Sequence, residues 1–278
     1  MNNKSRKTVF RVLIYVLAFV FVMISIFPIV WLFLTSLKDR VEIFSIPPVW
    51  LPRPKAENYV REFSGNNSRF PFLVNSIQVG LVSTLFTLII GTLAAYSIAR
   101  FPAPAKKNIE FWILSVRMMP PVAVIVPLYL IMRSFRFLDK TAGLVVVHIA
   151  FNLPFVIWIL AGFLRSIPKD VEEAALIDGC SWFQSLWKIS LPLAAPGLAT
   201  TSIFSFMFSW NELLAALVLT GRNAKTLPVA ISEYWSNTQI RWEAMAATSM
   251  IHVIPIIVVT FLIQRYIVRG LTLGAVKE

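Results

Sequence analysis

The sequence predicts an all-α polytopic membrane protein with six transmembrane helices. Of its 278 residues, 57% are hydrophobic and 14% are charged, whereas an average soluble domain is about 25% charged. A soluble chain of this length would lack the polar surface needed to cover its core. Six apolar runs are long enough to cross a bilayer, since a spanning helix needs about 20 mostly apolar residues. These observations exclude a soluble enzyme and a disordered chain, and the single cysteine excludes a disulfide scaffold.

The chain begins with a basic tail, residues 1–11, whose charged residues are Lys4, Arg6, Lys7 and Arg11. Residues 12–34 carry no charge and are longer than the about 7–15 apolar residues of a signal peptide. No small-residue cleavage site follows them. We therefore predict an uncleaved first span.

Five further apolar runs complete the predicted spans. The third contains Arg117, followed by Pro120, Pro121 and Pro127, so we expect this helix to be kinked. The fifth contains Glu212 at its middle. Asn152, in the fourth, is expected to hydrogen-bond between helices. The predicted spans are residues 12–34, 72–99, 111–132, 142–164, 198–220 and 244–264.

An even number of spans places both termini on one side of the membrane. Lysine and arginine residues are divided almost equally between the two sets of loops, so their count alone does not decide the orientation. The basic cluster before the first span favours cytoplasmic termini, because the first helix usually dominates. We assign the net charge of +12 to contact with anionic lipid headgroups rather than nucleic acid.

Two connections are long. Residues 37–71 are rich in proline and predict an irregular excursion. Residues 165–197 instead predict a helical hairpin. Asp170 is expected to cap its first helix, with Glu172 and Glu173 in the first turn, where the helix dipole favours acids.

The same pattern predicts the turn and the second helix of the hairpin. Gly179 is expected to end the first helix in a left-handed conformation. Ser181 is expected to cap the second helix, and Leu191-Pro192 to stop it. The second helix has an apolar stripe opposite Gln184, Ser185 and Lys188, formed by Trp182, Phe183, Leu186, Trp187 and Ile189.

Helices of about nine residues are marginal alone in water, so the apolar faces of this hairpin need a partner surface. One interpretation is an amphipathic segment that lies on the membrane interface. The other is docking on a second protein, which the small residues Ala174 and Ala175 near Gly179 favour because they permit close helix approach.

At these residues the chain resembles binding-protein-dependent ABC importer permeases of the carbohydrate class, and in particular the second maltose-type permease subunit. The spaced Glu-Ala-Ala loop of that family is matched by Glu173-Ala174-Ala175, Gly179, Ile189 and Leu191-Pro192. Matching segments elsewhere include Asn152–Phe155, Ile167-Pro168, Pro196–Leu198, Trp210–Glu212 and the tail from Gly270 to Lys277.

The resemblance implies the type I ABC importer permease fold, with cytoplasmic termini in the inner membrane. It implies that the loop is a cytoplasmic coupling helix that docks on an ATPase subunit. By this resemblance, eight residues take part in ATPase coupling: Glu173, Ala174, Ala175, Asp178, Gly179, Trp182, Ile189 and Pro192. It also implies a second homologous permease, two ATPase copies and an extracytoplasmic solute-binding protein that contacts residues 37–71, 133–141 and 221–243.

The expected organisation has three parts: the tail 1–11, a permease domain 12–268 that includes the coupling loop 165–197, and a cytoplasmic tail 269–278. By resemblance, this last tail contacts the ATPase through Gly270, Leu271, Thr272, Gly274 and Lys277. ATP and magnesium belong to the partner ATPase. The chain contains no Gly-x-x-x-x-Gly-Lys-Ser/Thr loop, so we expect no cofactor and no ATP hydrolysis in the chain itself.

Polar residues inside the predicted spans are candidates for the translocation pathway, because a charge at membrane depth usually faces a protein interior or a water cavity. These candidates are Arg117, Trp210, Asn211 and Glu212. For each, a structural role between helices remains an alternative. Trp210 is expected to stack on a sugar face if it lines the path.

The favoured function is therefore import of a sugar or sugar derivative, with the chain forming half of the pathway. One alternative keeps the machinery and changes the cargo to glycerol phosphate or another polar solute. Another is a membrane scaffold that holds a cytoplasmic partner without transport. An intramembrane enzyme is disfavoured, since neither His-Glu-x-x-His nor Gly-x-Ser-x-Gly occurs.

Overall fold

The structure, a computed structural model, describes residues 3–65, 68–102, 104, 106–235 and 239–275. Regular structure in these ranges is helical, apart from one isolated bridge between Trp235 and Ile240. The all-α prediction is confirmed.

Most of the described chain lies in helices of very different length. The helices are α1 (Asn3–Ser36), α2 (Arg40–Ile43), α3 (Glu57–Phe63), α4 (Phe70–Arg100), α5 (Lys106–Met118), α6 (Pro121–Ser134), α7 (Thr141–Ser166), α8 (Lys169–Ile177), α9 (Trp182–Ser185), a π-helical turn (Leu186–Ser190), α10 (Leu191–Leu193), α11 (Ala195–Trp210), α12 (Leu214–Leu219), α13 (Leu227–Ser232) and α14 (Trp242–Ala275).

The described helices include four to six candidate membrane spans of two kinds. Four are long and apolar enough to cross a membrane as single rods, namely Phe10–Ser36, Phe70–Arg100, Thr141–Ser166 and Trp242–Leu262. Two more are pairs bent at a break, Lys106–Met118 with Pro121–Ser134 at 94° and Trp182–Leu193 with Ala195–Trp210 at 81°. Counted as one span each, the pairs bring the total to six.

The kink expected from these prolines is confirmed, but the prediction of one helix over residues 111–132 was wrong, because the third span is divided into α5 and α6. The break lies at Met119 and Pro120, and Pro121 occupies the first position of α6. Proline has no backbone N–H and disfavours a helical residue before it. Two consecutive prolines therefore break this helix, whereas Pro127 lies inside α6 without ending it.

The prediction of one helix over residues 198–220 was also wrong. Helix α11 begins at Ala195 and ends at Trp210, and α12 begins at Leu214. The Glu212 carboxylate accepts backbone hydrogen bonds from Ala215 at 2.9 Å and from Ala216 at 3.2 Å. Glu212 thus satisfies N–H groups that α12 leaves open at its start, and it lies in a break rather than mid-helix.

The described chain divides into two compact units. Unit 1 comprises Met1–Arg69 and Ile231–Val253, and unit 2 comprises Phe70–Ala230 and Ile254–Glu278.

In unit 1, buried polar groups organise the segment that was predicted to be irregular. Asn58 of α3 donates to the carbonyls of Ser36 at 2.8 Å and Lys38 at 2.9 Å, which fixes the end of α1. Glu62 accepts hydrogen bonds from Tyr234 at 2.6 Å and Arg241 at 2.5 Å. Burial, together with Glu62, raises the pKa of Tyr234 to about 12.

In unit 2, helices α4, α7 and α11 pack closely because glycines stand at their contacts. A Cβ atom at Gly91 of α4 would lie 2.6 Å from Val156 Cγ1 of α7. A Cβ at Gly197 of α11 would lie 2.5 Å from the Phe163 ring of α7. Small residues let membrane helices approach closely and gain dispersion contacts.

A polar layer joins the same three helices at mid-length. Asn152 of α7 donates to Ser209 Oγ of α11 at 2.8 Å and to the Ser205 carbonyl at 3.3 Å. Ser209 in turn bonds Ser83 of α4 at 3.0 Å. The expected inter-helix role of Asn152 is confirmed.

A carboxylate fixes the loops at the Thr141 end of α7. Asp139 accepts backbone hydrogen bonds from Gly221, Arg222, Asn223 and Ala224, at distances between 2.9 and 3.2 Å. Burial raises the pKa of Asp139, but the four backbone bonds together lower it below its usual value. The carboxylate therefore remains charged and holds residues 221–224 beside the α6–α7 loop.

The packing of α4 on α7 makes a stability prediction. Gly91→Ala should destabilise the protein by about 1–3 kcal/mol, because its Cβ would overlap the stiff Val156 side chain. Gly162→Ala is the matched control, since no other atom lies within 4 Å of a Cβ there and alanine favours helix by up to about 1 kcal/mol. Thermal unfolding in detergent measures both variants. Equal shifts in the same direction would contradict the close-packing account.

Candidate functional site

The hairpin after α7 begins with α8, and its start differs from the prediction. The N-cap residue is Pro168 and α8 starts at Lys169, so the prediction of Asp170 as N-cap was wrong. Asp170 lies inside the first turn with Glu172, where both acids still favour the helix dipole. Proline fixes the φ angle of the residue that enters the helix, and no side-chain cap hydrogen bond is formed at this point.

Glu172 is the best-connected acid of the hairpin. Its side chain is 2% exposed and forms an ion pair with Arg100, whose side chain is 3% exposed. Arg100 Nε donates to Oε2 at 2.8 Å and Nη2 donates to Oε1 at 2.7 Å. Ser190 Oγ donates to Oε1 at 2.7 Å, and the Tyr96 hydroxyl donates to Oε2 at 3.3 Å. Each carboxylate oxygen of Glu172 therefore accepts two hydrogen bonds.

This network determines the charge state of Glu172. Burial raises the pKa of Glu172, but the hydrogen bonds from Arg100 and Ser190 outweigh burial and lower it. Arg100 also donates to the Ile167 carbonyl at 3.2 Å, so one guanidinium joins the ends of α4 and α7 to α8. Sequence reasoning missed the pair. The available signal was Tyr96 and Arg100 on one face of an apolar helix, four residues apart.

The turn of the hairpin has the predicted chemistry. Gly179 has φ of +89°, in the left-handed region that glycine adopts without strain. Cys180 N donates to the Ala175 carbonyl at 2.9 Å, which closes the end of α8. Ser181 and Gln184 form a capping box at the start of α9. The predicted roles of Gly179 and Ser181 are confirmed.

The prediction that Leu191-Pro192 stops the second helix of the hairpin was wrong. A π-helical turn over Leu186–Ser190 leads into α10, and the chain bends only at Ala194. Pro192 has no N–H for the carbonyl of Lys188, and Leu191 N instead bonds the Leu186 carbonyl. Ser185, the residue before this turn, is buried, so the prediction that placed it on the polar face was wrong.

Six large apolar side chains remain exposed on the hairpin, and we name them the hairpin patch: Val171, Ile177, Trp182, Phe183, Trp187 and Leu193. Ile177 is 86% exposed and Phe183 is 62% exposed. Leu186 and Ala175, by contrast, are buried. Exposed large apolar side chains grouped on one short segment favour an interaction site.

The residues predicted for ATPase coupling are distributed over this hairpin. Glu173, Ala174, Asp178, Gly179, Trp182 and Pro192 are exposed, and Ile189 is half-buried. Ala175 faces the interior, so it contributes to packing within the chain rather than to an exposed surface. Apart from its chain neighbours, no described residue places an atom within 4 Å of a Cβ at Gly179, so that position is open to a partner.

Arg117, the first candidate pathway residue, lies at the end of α5 and contacts the centre of α7. Its Nη1 donates to the Phe151 carbonyl at 3.1 Å, and its guanidinium lies 4.7 Å from the Phe208 ring centre. Phe151 is close to the midpoint of α7, which runs from Thr141 to Ser166. The Arg117 side chain is exposed, and no acidic residue pairs with it in the part of the chain that the structure describes.

The other pathway candidates lie at the break between α11 and α12. Asn211 is exposed, and Glu212 is half-buried, with its carboxylate 3.6 Å from His148 Nε2. Trp210 is 1% exposed, and its ring stacks on Phe206 at 5.5 Å. The expectation that Trp210 stacks on a sugar is therefore wrong for this conformation, because neither ring face is open. Arg117 and Glu212 reach α7 separately, at Phe151 and at His148.

The remaining predicted site is the tail. Gly270, Leu271, Thr272 and Gly274 lie in the helical backbone of α14, which continues to Ala275. Lys277 lies outside the described residues. Within the described ranges no cluster of three or more His, Cys, Asp or Glu residues is arranged to hold a metal ion.

The buried pair makes a prediction that is independent of function. Glu172→Gln should lower the free energy of local opening of α8 by about 3 kcal/mol, because it leaves the Arg100 charge buried without a counter-charge. Amide hydrogen exchange over Lys169–Ile177 should then be about 100-fold faster. Glu173→Gln, on the exposed face of the same helix, should leave exchange unchanged.

The same network predicts a pH dependence. Folding lowers the pKa of Glu172, so its ionised carboxylate contributes fully to the stability of α8 above pH 4.5, its ordinary pKa. That contribution is lost as the pH falls through the lower pKa of the folded protein. Wild-type protection of α8 should therefore be constant from pH 8 to about pH 5 and decrease only in stronger acid. A loss of protection near neutral pH would contradict the assignment.

Comparison with known proteins agrees with this architecture. Residues 87–273 match the family model described as "Binding-protein-dependent transport system inner membrane component". The chain is 38% identical over 258 residues to the trehalose transport system permease protein SugB of Mycobacterium tuberculosis, covering 91% of this chain and 93% of the relative. It is 35% identical over 265 residues to the sulfoquinovosyl glycerol transport system permease protein SmoH of Agrobacterium fabrum, covering 95% and 93%.

The fold also occurs among solved structures. A crystal structure of a bacterial ABC transporter involved in alginate import contains a chain that matches with a TM-score of 0.77 and 24% identity. That match covers 96% of this chain and 98% of the other. Since the family model covers most of the chain and relatives above 30% identity cover nearly all of it, the chain belongs to the family of inner membrane components of binding-protein-dependent transport systems.

Proposed function

We propose that this chain is the permease subunit of an ATP-driven importer for a sugar or sugar derivative, and that it forms half of the translocation pathway. The cargo class is supported by the relatives, which are named for trehalose, for trehalose and maltose, and for sulfoquinovosyl glycerol at 34–38% identity. The coupling role rests on one observation: the hairpin has an exposed apolar patch but a buried, ion-paired base.

The hairpin patch is the docking surface for an ATPase subunit in this proposal. Its exposed indole and phenyl rings provide large rigid contact areas, which are typical of interface anchors. Glu173, Ala174, Asp178 and Gly179 lie on the accessible side of the same hairpin. A hairpin that only lay on the membrane would have no need of a buried charge pair to fix its angle to the spans.

The Arg100–Glu172 pair then transmits force. Arg100 joins the ends of α4 and α7 to α8, and α4 and α7 are packed together along their length through Gly91. A displacement of the hairpin by a closing ATPase therefore moves two spans as one body. ATP acts only through its different affinity for the open and closed ATPase states.

The remaining subunits follow from the family. We propose a second homologous permease, two ATPase copies that bind ATP and magnesium, and an extracytoplasmic solute-binding protein. Both termini are cytoplasmic, and the tail residues from Gly270 to Lys277 contact the ATPase. The binding protein contacts residues 37–71, 133–141 and 221–243. Asp139 supports this last assignment, because it joins the second of these loops to the third.

Arg117, Asn211 and Glu212 line the pathway in this proposal. A cation halfway along a spanning helix is costly in lipid, so it faces a water-filled cavity or protein. Exposure of Arg117 beside the half-exposed Phe208 ring provides a guanidinium and an aromatic face at this depth. Sugars are recognised by that combination of hydrogen-bond donors and ring faces.

Cys180 tests the orientation without any substitution, since it is the single cysteine of the chain and lies partly exposed in the hairpin turn. A membrane-impermeant maleimide should label it in inside-out vesicles and not in right-side-out vesicles. Addition of the ATPase subunit should protect it. Labelling from the right-side-out face would place the hairpin outside the cell and refute the coupling role.

Gly179→Asp tests docking at the hairpin. The variant should reduce ATPase retention on purification, and with it cargo-stimulated ATP hydrolysis, at least about tenfold, because a charged side chain enters the contact. Gly65→Asp is the matched control for ATPase retention, which is measured without the binding protein: Gly65 also has a positive φ, +80°, and an open Cβ position among the described residues. Backbone strain is therefore similar in the two variants. An equal loss in both would assign the effect to strain instead of docking.

A further inference from the structure

A cavity of about 280 Å³ lies between the end of α4 and α5 and has no role in the function proposed above. Its walls are mainly apolar and include Ala94 and Ile98 of α4, Phe101 directly after α4, and Ile109 of α5. Lys106, the first residue of α5, is also part of the lining. The cavity therefore combines an apolar interior with a cation at one end.

Two lysines at the start of α5 are uncompensated, and the first of them, Lys106, lines the cavity. Lys106 is half-buried and Lys107 is exposed, and neither has an acidic partner among the residues that the structure describes. The acid one turn further along α5, Glu110, pairs with Arg165 instead. The lysines do not stabilise α5, because cations in the first turn oppose the helix dipole. Their placement therefore favours an external anion.

We propose that this cavity binds an anionic phospholipid, with an acyl chain against the apolar walls and the phosphate beside Lys106 and Lys107. Basic pockets between spanning helices recognise anionic headgroups in this way. A protein segment would match the apolar walls but would leave the two ammonium groups unpaired unless it also carried acids. An amphiphile with a charged head satisfies both features at once.

The location of the cavity links the lipid to the hairpin. Phe101 lines the cavity, and its ring also meets the Trp182 ring of the hairpin patch, with ring centres 5.1 Å apart. The lipid therefore lies at the same end of α4 as the coupling surface. Only the choice of leaflet rests on the proposed function, which makes this end cytoplasmic. Binding itself does not depend on that orientation.

Native mass spectrometry of the purified full chain in detergent tests the site, with dioleoyl phosphatidylglycerol and dioleoyl phosphatidylcholine as probes. Wild type should retain phosphatidylglycerol in preference to phosphatidylcholine. The double variant Lys106→Gln with Lys107→Gln should weaken phosphatidylglycerol binding about tenfold or more, since each surface cation contributes measurably to anionic lipid binding. Ala94→Phe, which fills the cavity without changing charge, should weaken it as well.

The matched control removes two charges elsewhere: Arg136→Gln with Lys140→Gln, both exposed near the Thr141 end of α7. It should retain wild-type binding. Unchanged phosphatidylglycerol binding in the lysine variant, or an equal loss in the control, would overturn the proposal. Displacement of the lipid by inorganic phosphate alone would do the same, because the acyl chain would then contribute nothing. The Cys180 labelling result is independent of these outcomes, so the two proposals can fail separately.

Discussion

The buried ion pair between Arg100 and Glu172 is the interaction on which the placement of the hairpin depends. Two short helices have too few residues to hold a fixed position by local propensity. A buried carboxylate, however, is tolerated only where its charge and hydrogen-bonding capacity are met, and here that requires the ends of α4 and α7 together with Ser190. The pair therefore restricts the hairpin to one arrangement against the spans.

The rest of unit 2 continues this rigidity towards the other end of α7. Glycine contacts bring α4, α7 and α11 close together, and the bonds of Asn152 satisfy polar groups between them. Beyond α7, Asp139 holds residues 221–224 with its carboxylate. In the importer that we propose, this continuity would connect the ATPase side to the side that receives cargo. The breaks lie elsewhere, between α5 and α6 and between α11 and α12, and the polar residues Arg117, Asn211 and Glu212 lie beside them.

Local rules predicted much of the hairpin and the number of spans. Gly179 and Ser181 could be assigned in advance because a left-handed helix end and a capping box depend on neighbouring residues only. The same local reasoning failed at Asp170, where the proline before α8 served as the N-cap instead. It also failed for Trp210, because burial against Phe206 depends on how α11 packs rather than on its apolar character.

Hydropathy and residue spacing by themselves determined that this chain is helical, lies in a membrane and carries an amphipathic hairpin, since those properties are sums over neighbouring residues. Only the tertiary structure decided that Glu172 is buried while Glu173 is exposed. Both acids lie in the same helix, and the difference arises from Arg100, 72 residues earlier in the chain. A contact over that distance leaves no periodic trace in the sequence, because its partners become neighbours only once the helices have packed.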